Sequence, residues 1–218
     1  MRDVTAPVPL TLEAVTIAIG GRPLFAPLSL TVPPGGVVTI KGASGSGKST
    51  LLSHLCGTLA PDFTATGRAS LGDSPLDGLP PEHRRMGILF QDDLLFPHLS
   101  VGGNLAFGLP AGLDRAERAG RIATALEEAG MVGFEARDPA TLSGGQRARV
   151  ACLRTLLAEP RALLLDEPFS KLDTALRGRF RAFVFEHARA RALPTLLVTH
   201  DPSDAEAAGG PVIDLEFA

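Results

Sequence analysis

Apolar and polar residues alternate from Leu10 to Ile19 and again over Leu28-Ser29-Leu30-Thr31-Val32, which predicts two half-buried strands. Gly20-Gly21 and Pro33-Pro34-Gly35-Gly36 supply the turns around them. Val37-Val38-Thr39-Ile40 is continuously β-branched and reads as a buried strand. Leu51-Leu52-Ser53-His54-Leu55 reads as a helix stopped at Gly57. Arg68 to Leu71 predicts a short strand before a polar loop from Gly72 to Pro81, and Met86 to Gln91 predicts another buried strand. From Asp92 to Glu159 the period lengthens to that of helices. Asp114 caps a helix from Arg115 to Ala129, with Ile122, Leu126 and Ala129 on one face and Gly130 as its stop. A second helix starts near Gly144 and runs through Arg147, Val150, Leu153 and Leu157 to Glu159, before Pro160. Strand spacing resumes over Ala162 to Asp166. Helix follows over Ala175 to Ala192, strand over Thr195 to Thr199, a short helix over Asp201 to Ala208, and an edge strand near Val212 to Leu215.

This order predicts an α/β fold in a single domain, residues 1–218. Its core is a mixed sheet over residues 1–91 and 161–218, opened by an antiparallel β-subdomain. Residues 92–160 form an inserted α-helical subdomain. At 218 residues the chain can bury a sizeable core.

Net charge is −3, which gives no support to nucleic-acid binding. No run reaches the roughly 18 apolar residues of a membrane span, and Met1-Arg2-Asp3-Val4-Thr5 lacks the apolar core of a signal peptide. Cys56 and Cys152 sit in apolar helical contexts, which suits buried thiols in a reducing compartment better than a disulfide. The expected location is the cytoplasm, with any membrane role reached through a partner.

Three stretches carry chemistry. Gly42-Ala43-Ser44-Gly45-Ser46-Gly47-Lys48-Ser49-Thr50, between a predicted strand and a predicted helix, has the spacing of a phosphate-binding loop. Its glycines let backbone N–H groups turn toward phosphate oxygens, and the helix start adds a positive dipole end. Lys48 suits the β- and γ-phosphates, and the Ser49 hydroxyl suits Mg²⁺. Leu163-Leu164-Leu165-Asp166-Glu167 is an apolar strand ending in two carboxylates, where an open α/β sheet places ligands. Asp166 suits the metal and Glu167 an attacking water. Such acids alone are common at solvated strand ends; the phosphate loop gives them meaning. Leu142-Ser143-Gly144-Gly145-Gln146 opens the second long helix with a Ser cap and two helix-disfavouring glycines. A helix start without an acid of its own is a phosphate receptor.

Together these motifs resemble the nucleotide-binding subunit of ABC transporters, nearly end to end and in the expected order. The glycine loop is similar to Walker A, Leu163 to Glu167 to Walker B, and Leu142 to Gln146 to the ABC signature. Gln91 falls at the Q-loop, Ser170-Lys171-Leu172-Asp173 at the D-loop, and His200 at the switch histidine. The resemblance implies an ATPase that works as a head-to-tail homodimer. Each ATP would meet the loop of one subunit (Gly42, Ser44, Gly45, Ser46, Gly47, Lys48, Ser49 and Thr50) and Ser143, Gly144, Gly145 and Gln146 of the other. Ser49, Gln91 and Asp166 would hold Mg²⁺; Glu167, His200 and Gln91 would position and activate water; Asp173 would connect the two sites. His54, His83, His98 and His187 have no such pattern and read as structural.

Residues 91–108 resemble the corresponding text of binding-protein-dependent importers, and Asp138 to Ala151 resembles thiamine-type systems most. The implied partners are transmembrane permease subunits and, through them, an extracellular or periplasmic solute-binding protein. The protein would then sit peripherally on the inner face of the membrane. The expectation is a protein without a membrane domain or a C-terminal regulatory domain of its own, docking on a separate permease. A lipoprotein-release or exporter ATPase, and a soluble ABC protein acting on ribosomes or DNA, are the alternative readings. Two positions depart from the pattern. Gly103 stands where importers often have Glu. The residue expected to cover adenine is Ile19, in a chain with neither Tyr nor Trp; Phe25 is the nearby aromatic. Leu94, Leu95, Phe96 and Leu99 form an apolar cluster that suits either a permease helix or packing beneath the helical insertion.

Overall fold

The computed structural model describes residues 6–216, the side chain of Ala175 excepted; Met1 to Thr5 lie outside the described residues. The chain divides into two compact units, 1–88 with 161–167 and 185–218, and 89–160 with 168–184. The expected border at residues 91 and 161 differs from this in one substantial respect. Residues 168–184 belong with the helical insertion, where Phe183 packs on the insertion's apolar core.

In the first unit, β1 (Leu10–Ile19) pairs antiparallel with β2 (Arg22–Pro23) and β3 (Leu28–Val32). Next come β4 (Val37–Lys41), α1 (Lys48–Cys56), β5 (Phe63–Leu71), β6 (Ser74–Pro75), α2 (Pro81–Arg84) and β7 (Met86–Leu89). β5 lies against β1 and is longer than the expected Arg68 to Leu71, and β6 pairs with it. In β3 the alternation is complete: Leu28, Leu30 and Val32 are buried, and Ser29 and Thr31 are exposed.

The second unit holds α3 (Val101–Gly108), α4 (Arg115–Glu128) and α5 (Gly144–Leu157). Leu105, Leu126, Val150 and Leu153 form its apolar core. The chain then runs through β8 (Ala162–Asp166), α6 (Thr174–Ala190), β9 (Thr195–Val198), α7 (Pro202–Ala208) and β10 (Val212–Asp214), with α6 divided between the two units after residue 184. The second sheet runs in the order β10-β4-β9-β8-β7, with β10, β4, β9 and β8 parallel. β4, β8 and β9 are buried almost end to end, as continuous apolar runs in a parallel sheet should be. All three strands point their C-terminal ends the same way, and the residues that follow them, Gly42, Glu167 and Thr199, lie at that end. No helix among the described residues is long and apolar enough to cross a membrane.

Candidate functional site

The loop between β4 and α1 is fixed by sterics. Gly47 is the N-cap of α1 at φ 91°, with no side-chain cap and no acid in the first turn. A Cβ at Gly47 would come within 3.0 Å of the Phe25 ring and 3.1 Å of Leu24, so both backbone conformation and space demand glycine. Phe25 is fully buried beneath the loop and offers no free face for a base. Ile19, at the end of β1 beside Arg22, is 44% exposed. Ser46 and Lys48 are buried, while Ser44, Gly45 and Ser49 are exposed and Thr50 is half-buried. Lys48 Nζ donates to the carbonyls of Gly42 (2.9 Å) and Ala43 (2.7 Å), which holds the ammonium inside the curve of the loop.

β8 delivers the two acids beside this loop. Ser49 Oγ donates to Asp166 Oδ1 at 3.1 Å. Burial raises the Asp166 carboxyl above its ordinary pKa; the Ser49 hydrogen bond opposes this, Glu167 adds to it, and Lys48 opposes it. Glu167 sits in the left-handed region at φ 47°, its N–H donating to the Val198 carbonyl at 2.9 Å. A non-glycine residue there costs on the order of 1–3 kcal/mol and needs surroundings that hold it. Its Oε2 lies 3.0 Å from His200 Nδ1, pairing the strand-end acid with the histidine that follows β9.

Thr199 and Asp204, which the sequence reading did not single out, shape the histidine's segment. Thr199 Oγ1 donates to buried Asp204 Oδ2 at 3.1 Å and accepts from the Asp201 N–H at 3.1 Å. Asp201 in turn caps α7 through the Ser203 N–H at 2.8 Å. The available signal was weak: an acid in the first turn of a short helix, three residues after the Asp201 cap.

The other predicted residues lie in the second unit. Ser143 Oγ accepts from the Gln146 N–H at 3.3 Å, and Gln146 Oε1 accepts from the Ser143 N–H at 2.9 Å. This capping box spends both side chains on their own helix and brings no charge. The N–H groups of Gly144 and Gly145, at the first two helical positions, have no intrahelical acceptor available. Gly144 is half-buried, with Arg147 Nη2 3.8 Å from where a Cβ would stand, and Gly145 is buried against Leu176. Asp173 Oδ1 accepts from the Leu176 N–H at 3.0 Å and so caps α6. Gln91 is exposed. The first unit therefore brings together the glycine loop, Asp166, Glu167 and His200, and the second carries Gln91, the Ser143 helix start and Asp173.

The arrangement has relatives. Residues 25–170 match the family model described as ABC transporter. The chain is 50% identical over 198 residues, 91% of each chain, to an uncharacterized ABC transporter ATP-binding protein of Escherichia coli K12. It is 41% identical over 205 residues to an Fe(3+) ions import ATP-binding protein of Streptomyces avermitilis, covering 94% of this chain and 59% of that one. It is also 41% identical over 198 residues to a Salmonella typhimurium protein provisionally named for 2-aminoethylphosphonate import, covering 90% of this chain and 53% of that one. The chain thus spans little more than half the length of the two relatives named for import. With a family model matching two thirds of its length and a half-identical relative along nearly all of it, the chain belongs to the ABC transporter family as an ATP-binding subunit.

Proposed function

We propose that the protein hydrolyses ATP at two sites shared between copies of the chain and so powers solute import through separate permease subunits. The observation that carries this is the pairing of Glu167 with His200 at 3.0 Å, at the strand end whose Asp166 already touches Ser49. A carboxylate next to an imidazole can hold a water and take its proton, while the imidazole nitrogen not engaged by Glu167 is free to donate to a γ-phosphate oxygen. Lys48, now bonded to the loop carbonyls, supplies an ammonium for the β- and γ-phosphates.

The donors fit Mg²⁺. A hydroxyl and a carboxylate 3.1 Å apart are hard oxygen ligands of the kind that hold this ion by one or two protein groups, with water and phosphate oxygens completing the shell. Bound there, the ion would offset the negative charge of the phosphates. Ser49 and Asp166 would hold it, with Gln91 a third candidate.

The start of α5 completes the site from a second copy. Its neutral cap leaves the N–H groups of Gly144 and Gly145 for a γ-phosphate, and Asp173 anchors the turn beside the dimer contact. Ile19 covers the base with aliphatic surface, so phosphate contacts dominate affinity. The import reading is supported by the names of the iron(III) and 2-aminoethylphosphonate relatives; these names do not support the thiamine-type resemblance. The partners are permease subunits, with a solute-binding protein reached through them, and the protein is peripheral to the inner membrane face.

Replacing Glu167 by Gln tests the assignment. Hydrolysis should fall by roughly a hundredfold or more, while ATP binding persists and ATP holds a stable dimer. Turnover within a few-fold of the parent protein would remove Glu167 from the reaction.

A further inference from the structure

Arg147 is the first residue after the neutral cap of α5, and its guanidinium is bonded in two directions. Nη1 donates to the Leu142 carbonyl at 2.8 Å, one residue before the Ser143 cap. Nε donates to Asp93 Oδ2 at 2.9 Å, two residues after Gln91. Both partners are half-buried, so the pair is less screened than a surface ion pair. The guanidinium fork holds two acceptors in a fixed relation, which a lysine cannot do.

The acidic end of this link is itself anchored to the apolar segment that follows it. Arg154 Nη2 donates to the Asp93 carbonyl at 3.4 Å, and its guanidinium lies 5.1 Å from the centre of the Phe96 ring. Buried Asn104 accepts from the Phe96 N–H at 2.8 Å and donates to the carbonyls of Phe96, Leu99 and Ser100. Leu94 and Phe107 are exposed on the same stretch, and the Phe107 ring lies 4.6 Å from that of Phe96. One continuous set of bonds therefore runs from an apolar surface, through Asp93, to the carbonyl that precedes the phosphate-facing helix start.

We propose that Arg147 and Asp93 are positioning residues, which set the signature loop for the second subunit's ATP and tie its position to the 94–99 segment. The proposal rests on the shared-site reading above. Breaking the pair releases the Leu142 carbonyl and lets the loop drift, without touching the glycine loop that binds nucleotide in a single subunit. Coupling through such a network requires that changes at its two ends be non-additive.

The test uses the full chain carrying Glu167→Gln, in which ATP should trap the dimer. Into it are placed Arg147→Gln, Asp93→Asn and both together, with Arg147→Lys as a milder change. Two constants are measured: ATP affinity of the single subunit and the dimer dissociation constant with ATP. The expected result is a dimer constant weakened by about tenfold or more for each single change and no further for the double change. Subunit ATP affinity should stay within about twofold, and Arg147→Lys should fall between. A general loss of folding would move both constants together. Additive effects, or an unchanged dimer constant, overturn the proposal.

Hydrogen exchange of residues 142–146 in the nucleotide-free chain supplies a readout that does not need the dimer. Asp93→Asn should accelerate it while α4 exchanges as before; unchanged exchange overturns the proposal even if the parent protein never dimerises. Absence of an ATP dimer in the Glu167→Gln parent would instead count against the shared-site reading alone.

Discussion

Helices α4 and α5 are the same length, lie in the same unit and open with the same capping box, yet they differ in charge. α4 uses Asp114 and Glu117; Asp114 Oδ1 accepts from the Glu117 N–H at 2.8 Å, and Glu117 returns the bond at 3.0 Å. α5 makes the equivalent bonds with Ser143 and Gln146. Two carboxylates at a helix start neutralise the macrodipole and stabilise the helix; a hydroxyl and an amide satisfy the same N–H group and leave the positive end uncompensated. α4 is thus built for its own stability, and α5 gives up part of that stability to keep a potential that attracts an anion. α1 goes further, with neither a side-chain cap nor an acid in its first turn.

The largest effect is expected from giving α5 the charged start of α4. Ser143→Asp with Gln146→Glu should preserve the box and add two charges beside the proposed γ-phosphate. Like charges about 4 Å apart repel by up to about 4 kcal/mol at an effective dielectric of 20, so hydrolysis should fall roughly a hundredfold or more. Thermal unfolding should move slightly upward. Turnover within a few-fold of the parent would show that this helix start does not face phosphate.

The reverse exchange, Asp114→Ser with Glu117→Gln, should cost about 0.5–1 kcal/mol of stability and lower the melting temperature by about 1–4 °C. ATP turnover should not change. A matching loss of activity would mean that α4 carries more than its own fold.

The smallest effect concerns the far end of α1, where charge is again managed. Arg84 Nη1 donates to the His54 carbonyl at 2.6 Å and caps the helix with a permanent cation. His54 is held below its ordinary pKa of 6.5, first by burial, then with Asp77 opposing and Arg84 assisting. The unfolded chain therefore binds the His54 proton at higher pH than the folded one. This group leaves stability intact above about pH 6.5 and reduces it as pH falls from there through the folded value. His54→Gln should flatten that acid slope in urea unfolding measured across the range; an unchanged slope would assign it to other groups.

What the sequence disclosed was what is local. The glycine loop, the two acids after an apolar strand and the Ser-x-x-Gln helix start are each short and placed by the strand or helix beside them, so spacing was enough. β5 was read only from Arg68, and its first half, Phe63 to Gly67, was missed; in the fold Gly67 stands at φ 89° opposite a bulge at Ala14, where a Cβ would come within 2.4 Å of the Ala14 carbonyl oxygen. α3 has no clear helical period, with glycines at 102, 103 and 108. It forms around the Ser100 cap and the bonds of buried Asn104. Contacts distant in sequence were legible only where the family resemblance joined them, as it did Ser49 with Asp166 and Glu167 with His200. Nothing local marked Asp93 as the partner of Arg147. In the apolar segment Leu95 packs on the helical core, while Leu94 is exposed.

In the proposed site Lys48 of one subunit and Ser143 of another serve the same ATP. Lys48→Ala and Ser143→Arg proteins should each be inactive alone. Mixed in equal amounts, with heterodimers verified directly, they should regain activity from the one composite site in which both residues are intact. Verified heterodimers with no turnover above the sum of the two inactive proteins would contradict the shared site.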